Sequence, residues 1–301
     1  MFFNQYFGNY LVEKKIIKPE ELSMVTERRR SVKVKLGVLA IDSGLMNAAQ
    51  VNRIHRLQAI RDRKFGELAV EEGYLTEAQV EELLDEQKKT DILIGQILIE
   101  KGIFTFEKYE EMLLRYRQES GLTDDEFQAL RSSDVRKIAE IFIKDLPVRN
   151  LGIIHQYFEL FLRNLIRFID DEIRVEAASE ADSYPFGLLV TQRMEGDYGF
   201  FSAISAPEPI LARFASVYSE QDWSKVNELA EDALEEFLNC QNGLFISNLS
   251  HTGAKWELNL PEIKKNGSLK PVRKLYIVPC YLSFGKIDFI FADERPEIQG
   301  E

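Results

Sequence analysis

The chain has 301 residues, a formal net charge of -12, 45% hydrophobic residues and 29% charged residues. That length suits about two domains with cores of their own, and the acid excess disfavours nucleic acid as a partner, because phosphate contacts need clustered Lys and Arg. Two cysteines, Cys240 and Cys280, suit a reducing compartment. With no apolar run near the ~20 residues of a membrane span and no secretory leader at Met1-Phe-Phe-Asn, the expected location is the cytoplasm.

Residues 1–118 carry four units at a fixed interval of 29 residues, opening on Phe7-Gly8, Leu36-Gly37, Phe65-Gly66 and Ile94-Gly95. An apolar pair follows in each: Leu11-Val12, Ala40-Ile41, Ala69-Val70 and Leu98-Ile99. Next stands Gly44, Gly73 or Gly102, with Lys15 in the first unit, placed to end a helix in the left-handed position. Asn47, Thr76 and Thr105 then start a second helix, Thr76 with Gln79 having the form of a capping box. Leu22, Val51, Val80 and Tyr109 recur inside that second helix. Each unit therefore reads as two short helices. The doublet glycines let neighbouring helices approach closely, and the units stack to bury their apolar sides.

This pattern resembles the N-terminal domain of the type II secretion and pilus assembly ATPases. Phe65, Gly66, Ala69, Val70, Gly73, Val80, Leu84 and Gln87 match it most closely. The Arg that precedes the doublet there is Lys35 or Lys64 in two units here, and Tyr6 or Leu93 in the others. Tandem copies in that family can bind cyclic di-GMP, which the resemblance implies as a candidate ligand. Arg28, Arg29, Arg30, Lys33, Lys35, Arg53, Arg56, Arg61, Arg63 and Lys64 crowd the region, and Lys35, Arg56 and Lys64 are the candidate anion contacts. A solvated basic surface or a docking face is the other reading.

Residues 119–146 read as a linker with short helices of its own, the first capped by Thr123 and the second spanning Val135 to Ile143. From 147 to 293 the order is helix, strands, helices, strands, an α+β layered arrangement rather than a βαβ fold. Ile154, Tyr157, Phe158, Phe161, Leu162, Leu165 and Phe168 form a core stripe on the first helix. Strands are expected over Glu172 to Ala177, Phe186 to Met194 and Gly199 to Ser205, with a turn at Glu195-Gly196-Asp197. A short helix, Ile210 to Val217, precedes a long one from Trp223 to about Ser250. Strands at Lys255 to Leu260, Leu275 to Ser283 and Lys286 to Phe291 close the domain.

The long helix carries the candidate site. Its expected apolar positions are Leu229, Ala233, Phe237, Leu238, Leu244 and Phe245. Glu236 and Asn239, three apart, share another face with Asp232 one turn before and Asn242 about one turn after. A carboxamide can direct a water, and a carboxylate can hold a partner's cation. Cys240 is expected to turn off this face. The three histidines, His55, His155 and His251, have no metal-ligand spacing with the cysteines, so no metal site is expected.

The spacing Asp232-x3-Glu236-x2-Asn239-x3-Gly243, with Pro261 22 residues after the Asn, resembles the active-site helix of the CheC/CheX/FliY chemotaxis phosphatases, and CheX most of all. The resemblance implies hydrolysis of a response regulator's phospho-aspartate. Asn239 would orient the water and Glu236 would engage the regulator's lysine, while the CheY-like receiver brings the Mg2+. Asp232, Asn242 and Gly243 would serve partner binding. It also implies a homodimer paired through edge strands in Leu275 to Phe291. A signalling adaptor that binds a receiver domain or cyclic di-GMP without catalysis is the alternative.

Overall fold

The computed structural model describes residues 2–22, 34–89, 94–144, 146–197, 199–249, 253 and 255–300. Arg28, Arg29, Arg30, Lys33 and His251 lie outside the described residues. The chain divides into two compact units, meeting between Phe127 and Gln128 within a helix. The first is helical and the second combines helices with an antiparallel sheet, so the fold class is α+β.

In the first unit α1 (Phe2–Glu13) is followed by short helices α2 (Leu36–Asp42), α4 (Phe65–Glu71) and α6 (Ile94–Glu100). Each short helix leads into a longer one: α3 (Ala48–Arg61), α5 (Glu77–Lys89) and α7 (Phe106–Glu119). The short helices end alike. Gly44, Gly73 and Gly102 take φ of +68, +72 and +71. Their N–H groups donate to Ile41, Val70 and Ile99, and the next N–H reaches Ala40, Ala69 or Leu98. Glycine enters this left-handed position without a Cβ penalty. Asn47 with Gln50, and Thr76 with Gln79, exchange capping bonds at the starts of α3 and α5.

The doublet glycines lie against the helix that follows. A Cβ on Gly66 would stand 2.7 Å from Val80, and one on Gly95 only 2.1 Å from the Tyr109 ring. A methyl there would force the two helices apart, which is why the chain is bare at these points. The core runs from Phe3 and Phe7 through Val51, Ile54 and Leu68 to Tyr109, Tyr116 and Phe127.

The chain crosses from one unit to the other along α8 (Asp124–Ser132), and α9 (Val135–Phe142) and α10 (Leu151–Phe168) follow. Strands β1 (Arg174–Val175), β2 (Ser179–Ala181), β3 (Tyr184–Gly196) and β4 (Phe201–Ser205) precede α11 (Glu208–Ser219) and α12 (Glu228–Leu249). The last strands are β5 (Trp256–Leu258), β6 (Glu262–Lys270), β7 (Leu275–Leu282), β8 (Gly285–Ala292) and β9 (Glu297–Gly300). Among the described residues the main path of the sheet is β1-β7-β8-β4-β3-β6-β9, with β2 on β7 and β5 on β3. Tyr157, Phe158 and Phe161 of α10 stack on Phe289 of β8, and Phe245 of α12 meets Tyr157 edge-on. Residues of the opposite parity, Leu189, Ala203 and Ile290, belong to a separate buried cluster. β3 is thus buried on both faces, which makes it the rigid floor under α12.

Three strands went unread in the sequence. β2 and β9 are only 3 and 4 residues long. β6, Glu-Ile-Lys-Lys-Asn-Gly-Ser-Leu-Lys, is largely exposed or half-buried, so its composition is that of a loop. The expected pairing edge in Leu275 to Phe291 is corrected. β7 is bonded to β8 on one side and to β1 and β2 on the other, and β8 lies between β7 and β4. Their backbone groups are already used within the sheet, so these strands offer no edge to a second copy.

Candidate functional site

Asn227 caps α12, its Oδ1 accepting the Ala230 N–H at 2.9 Å, so the helix begins at Glu228 rather than near Trp223. The buried stripe is Ala230, Leu234, Phe237, Leu238, Gln241, Asn242, Phe245 and Leu249. Leu229 and Leu244, expected in that stripe, are 59% and 48% exposed. The inward positions near the helix middle are taken by two amides, Gln241 and Asn242, that find partners inside the fold.

Asn242 corrects the reading of it as a partner contact: it is fully buried. Its Oδ1 accepts the Tyr157 hydroxyl at 2.5 Å, and its Nδ2 donates to Gln192 Oε1 at 2.8 Å and Ser202 Oγ at 3.3 Å. Burial pushes the Tyr157 hydroxyl far up, so it stays a donor at physiological pH. Gln241 accepts from Asn164 Nδ2 at 2.7 Å, which satisfies the second inward amide.

Asp232 and Glu236 are exposed, and Asn239 and Gly243 are half-buried, on successive turns of one open face. Glu236 Oε1 accepts from the Cys240 thiol at 3.1 Å, and among the described residues no cation pairs with that carboxylate. Cys240 is therefore exposed on the flank of this face, not turned away from it. Burial, with Asp232 and Glu231 close by, holds the Glu235 carboxyl above its usual range. The surface is acidic and open to a cation. A Cβ on Gly243 would meet nothing within 4 Å, so the helix is bare one turn beyond Asn239.

Asn239 does not present its whole carboxamide. Its Oδ1 accepts from Gln192 Nε2 at 2.9 Å, and the same Nε2 donates to the Asn259 carbonyl at 2.7 Å. The Asn239 Nδ2 has no partner among the described residues, so the amine edge is the one left for a ligand. The expected two-way donor and acceptor is thus mainly a donor: it can bond a water oxygen or a phosphoryl oxygen. Gln192 was missed from the sequence. Its signal was an amide at the end of the apolar run Leu188-Leu189-Val190-Thr191-Gln192, where a polar side chain must find a buried partner.

In the first unit Lys35 is salt-bridged to Glu100 at 2.9 Å, and Arg53, Arg61 and Arg63 are paired with Glu72, Glu71 and Glu67. Arg56 and Lys64 are exposed, and among the described residues no acid is ion-paired with either. An anion at Lys35 would have to displace a carboxylate. Among the described residues no group of three metal-ligating side chains comes together, and no helix is long and apolar enough to cross a membrane.

No known family matches this chain. No curated protein matches it. Solved structures of CheX and CheC-like chemotaxis proteins do. A CheC-like superfamily protein from Shewanella sp. PV-4 is 17% identical, with 46% of this chain and 97% of that one covered and a TM-score of 0.40. CheX from Vibrio vulnificus is 13% identical over 46% and 97%, with a TM-score of 0.40. CheX from Borrelia burgdorferi, solved as a CheX–CheY–BeF3–Mg2+ complex, is 16% identical over 49% and 98%, with a TM-score of 0.37.

Proposed function

We propose that the second unit hydrolyses the phospho-aspartate of a CheY-like receiver domain. The observation that carries this reading is the open α12 face on which Glu236 is exposed and Asn239 turns its Nδ2 edge outward one turn away. Glu236 holds the receiver's active-site lysine, and Asn239 directs the attacking water, whose oxygen bonds to phosphorus as the aspartate carboxylate leaves and inorganic phosphate is released. The receiver supplies the electrophile and the Mg2+. Phosphoryl transfer asks chiefly for positioning and charge stabilisation, so two side chains on a rigid helix suffice. Leu229 at 59% exposure and Leu260 at 85% are apolar contacts for the same partner. Leu260 follows Asn259, whose carbonyl shares the Gln192 amine with Asn239, which places it beside the site. The sequence spacing of Asp232, Glu236, Asn239 and Gly243 supports the same assignment.

The test is loss of phosphate from a panel of isolated receiver domains phosphorylated with acetyl phosphate and Mg2+. The wild-type chain speeds that loss for at least one receiver, and Asn239→Ala slows it about 100-fold, the scale of losing one donor to the transition state. Equal rates for wild type and Asn239→Ala overturn the assignment. Binding without turnover by the wild-type chain favours the adaptor.

A further inference from the structure

Asn239 is held by a chain of side-chain amides whose direction can be deduced from one end. The Asn259 carbonyl can only accept. The Gln192 group bonded to it at 2.7 Å must therefore be the NH2. That NH2 has a second proton, and it points at Asn239 at 2.9 Å, so the facing atom of Asn239 must be its oxygen. The other end of Gln192 is then Oε1, which accepts from Asn242 Nδ2 at 2.8 Å. Asn242 must in turn present its oxygen to the Tyr157 hydroxyl at 2.5 Å. Every amide in the row has one orientation, set by a backbone group that cannot change roles. Turning the Asn239 carboxamide over would set two donors face to face. Gln192 is 2% exposed and sits on β3, which is buried on both faces, so it cannot yield by rotating into solvent.

We propose that Gln192 is a positioning residue that locks the Asn239 carboxamide with its Nδ2 edge toward the partner. The inference rests on the proposed phosphatase reading for its kinetic consequence, but not for the orientation itself. A buried residue that also bonds Asn242 and the Asn259 carbonyl, but touches the partner only through Asn239, changes the catalytic step and leaves docking alone.

The experiment has two arms on the full chain. In the kinetic arm, Gln192→Met lowers kcat toward the acetyl-phosphate-labelled receiver roughly 10-fold or more. Its KM stays within about twofold of wild type. A kcat equal to wild type, or a loss confined to KM, overturns the proposal. In the spectroscopic arm, hydrogen exchange of the side-chain amides is followed by NMR on the wild-type protein. The Gln192 Nε2 protons exchange slowly and the Asn239 Nδ2 protons exchange as a solvated amide. Protected Asn239 protons overturn the proposal whether or not Gln192→Met folds. A wild-type chain that turns over no receiver ends the phosphatase reading alone, and the exchange arm then decides the orientation.

Discussion

Cys240 lies one turn beyond Glu236 and donates its thiol proton to that carboxylate at 3.1 Å. Burial first, and then this bond, push the thiol above its usual range. The thiolate is the reactive form, so an exposed cysteine here reacts slowly at pH 8. Removing the carboxylate's charge by Glu236→Gln takes away one cause that raises the thiol, so its acidity increases. Alkylation of Cys240 by iodoacetamide at pH 8 then speeds, because more of the thiol is thiolate at that pH. Mass spectrometry can follow Cys240 alone, because Cys280 is buried. An unchanged rate would mean that the Glu236 carboxylate is not the thiol's partner in solution. Among the described residues Glu236 is engaged only by this neutral donor, which leaves it available to a cation.

At the scale of the element, α12 combines a stiff inner face with a permissive outer one. Phe237 packs edge-on against Phe214 and Tyr218, and the Gln241 and Asn242 amides are fixed in the core, so the helix cannot roll. Gly243 on the outside is different. It sits mid-helix with open space where a Cβ would go, so nothing among the described residues requires glycine there. Glycine in a helix interior costs about 1 kcal/mol against alanine. On the proposed phosphatase reading, a receiver surface that comes close to the helix explains why that cost is tolerated. Gly243→Ala should therefore raise stability by about 1 kcal/mol in urea unfolding while raising KM for the phosphorylated receiver. A more stable variant with unchanged KM would remove Gly243 from the docking face.

At the scale of the whole molecule, each of the two units has a core of its own. The second is tied together at Phe289, whose ring lies within 4.7 to 5.6 Å of Phe161, Phe158 and Tyr157 on α10. That ring joins the sheet to the helix layer that supports α12. Phe289→Ala removes it from a fully buried site and should destabilise the second unit by about 3–5 kcal/mol. Both tryptophans, Trp223 and Trp256, lie in this unit, so their fluorescence in urea reports its unfolding separately from the helical unit. A shift under 1 kcal/mol would contradict this packing.

Periodicity and local chemistry were enough to mark α2 to α7, because glycine at a left-handed turn and Asn or Thr at a cap act over three or four residues. The same local rules marked α10, α12 and the shared face of Asp232, Glu236 and Asn239, since helical spacing sets which residues align, but they also put Asn242 on that face, and it is buried. The fate of each side chain on that helix was not legible. Asn239 and Asn242 are the same residue type three apart; one reaches outward and the other is sealed in the core, because Gln192 and Tyr157, 47 and 85 residues away, supply partners for them. β6 was invisible because a strand with an exposed face can be polar throughout, and its register is set by β3 rather than by its own composition. By itself the sequence determined which residues could share a face. Only the tertiary structure decided which way each amide points, because a hydrogen bond between distant segments is fixed by their meeting and not by either one alone.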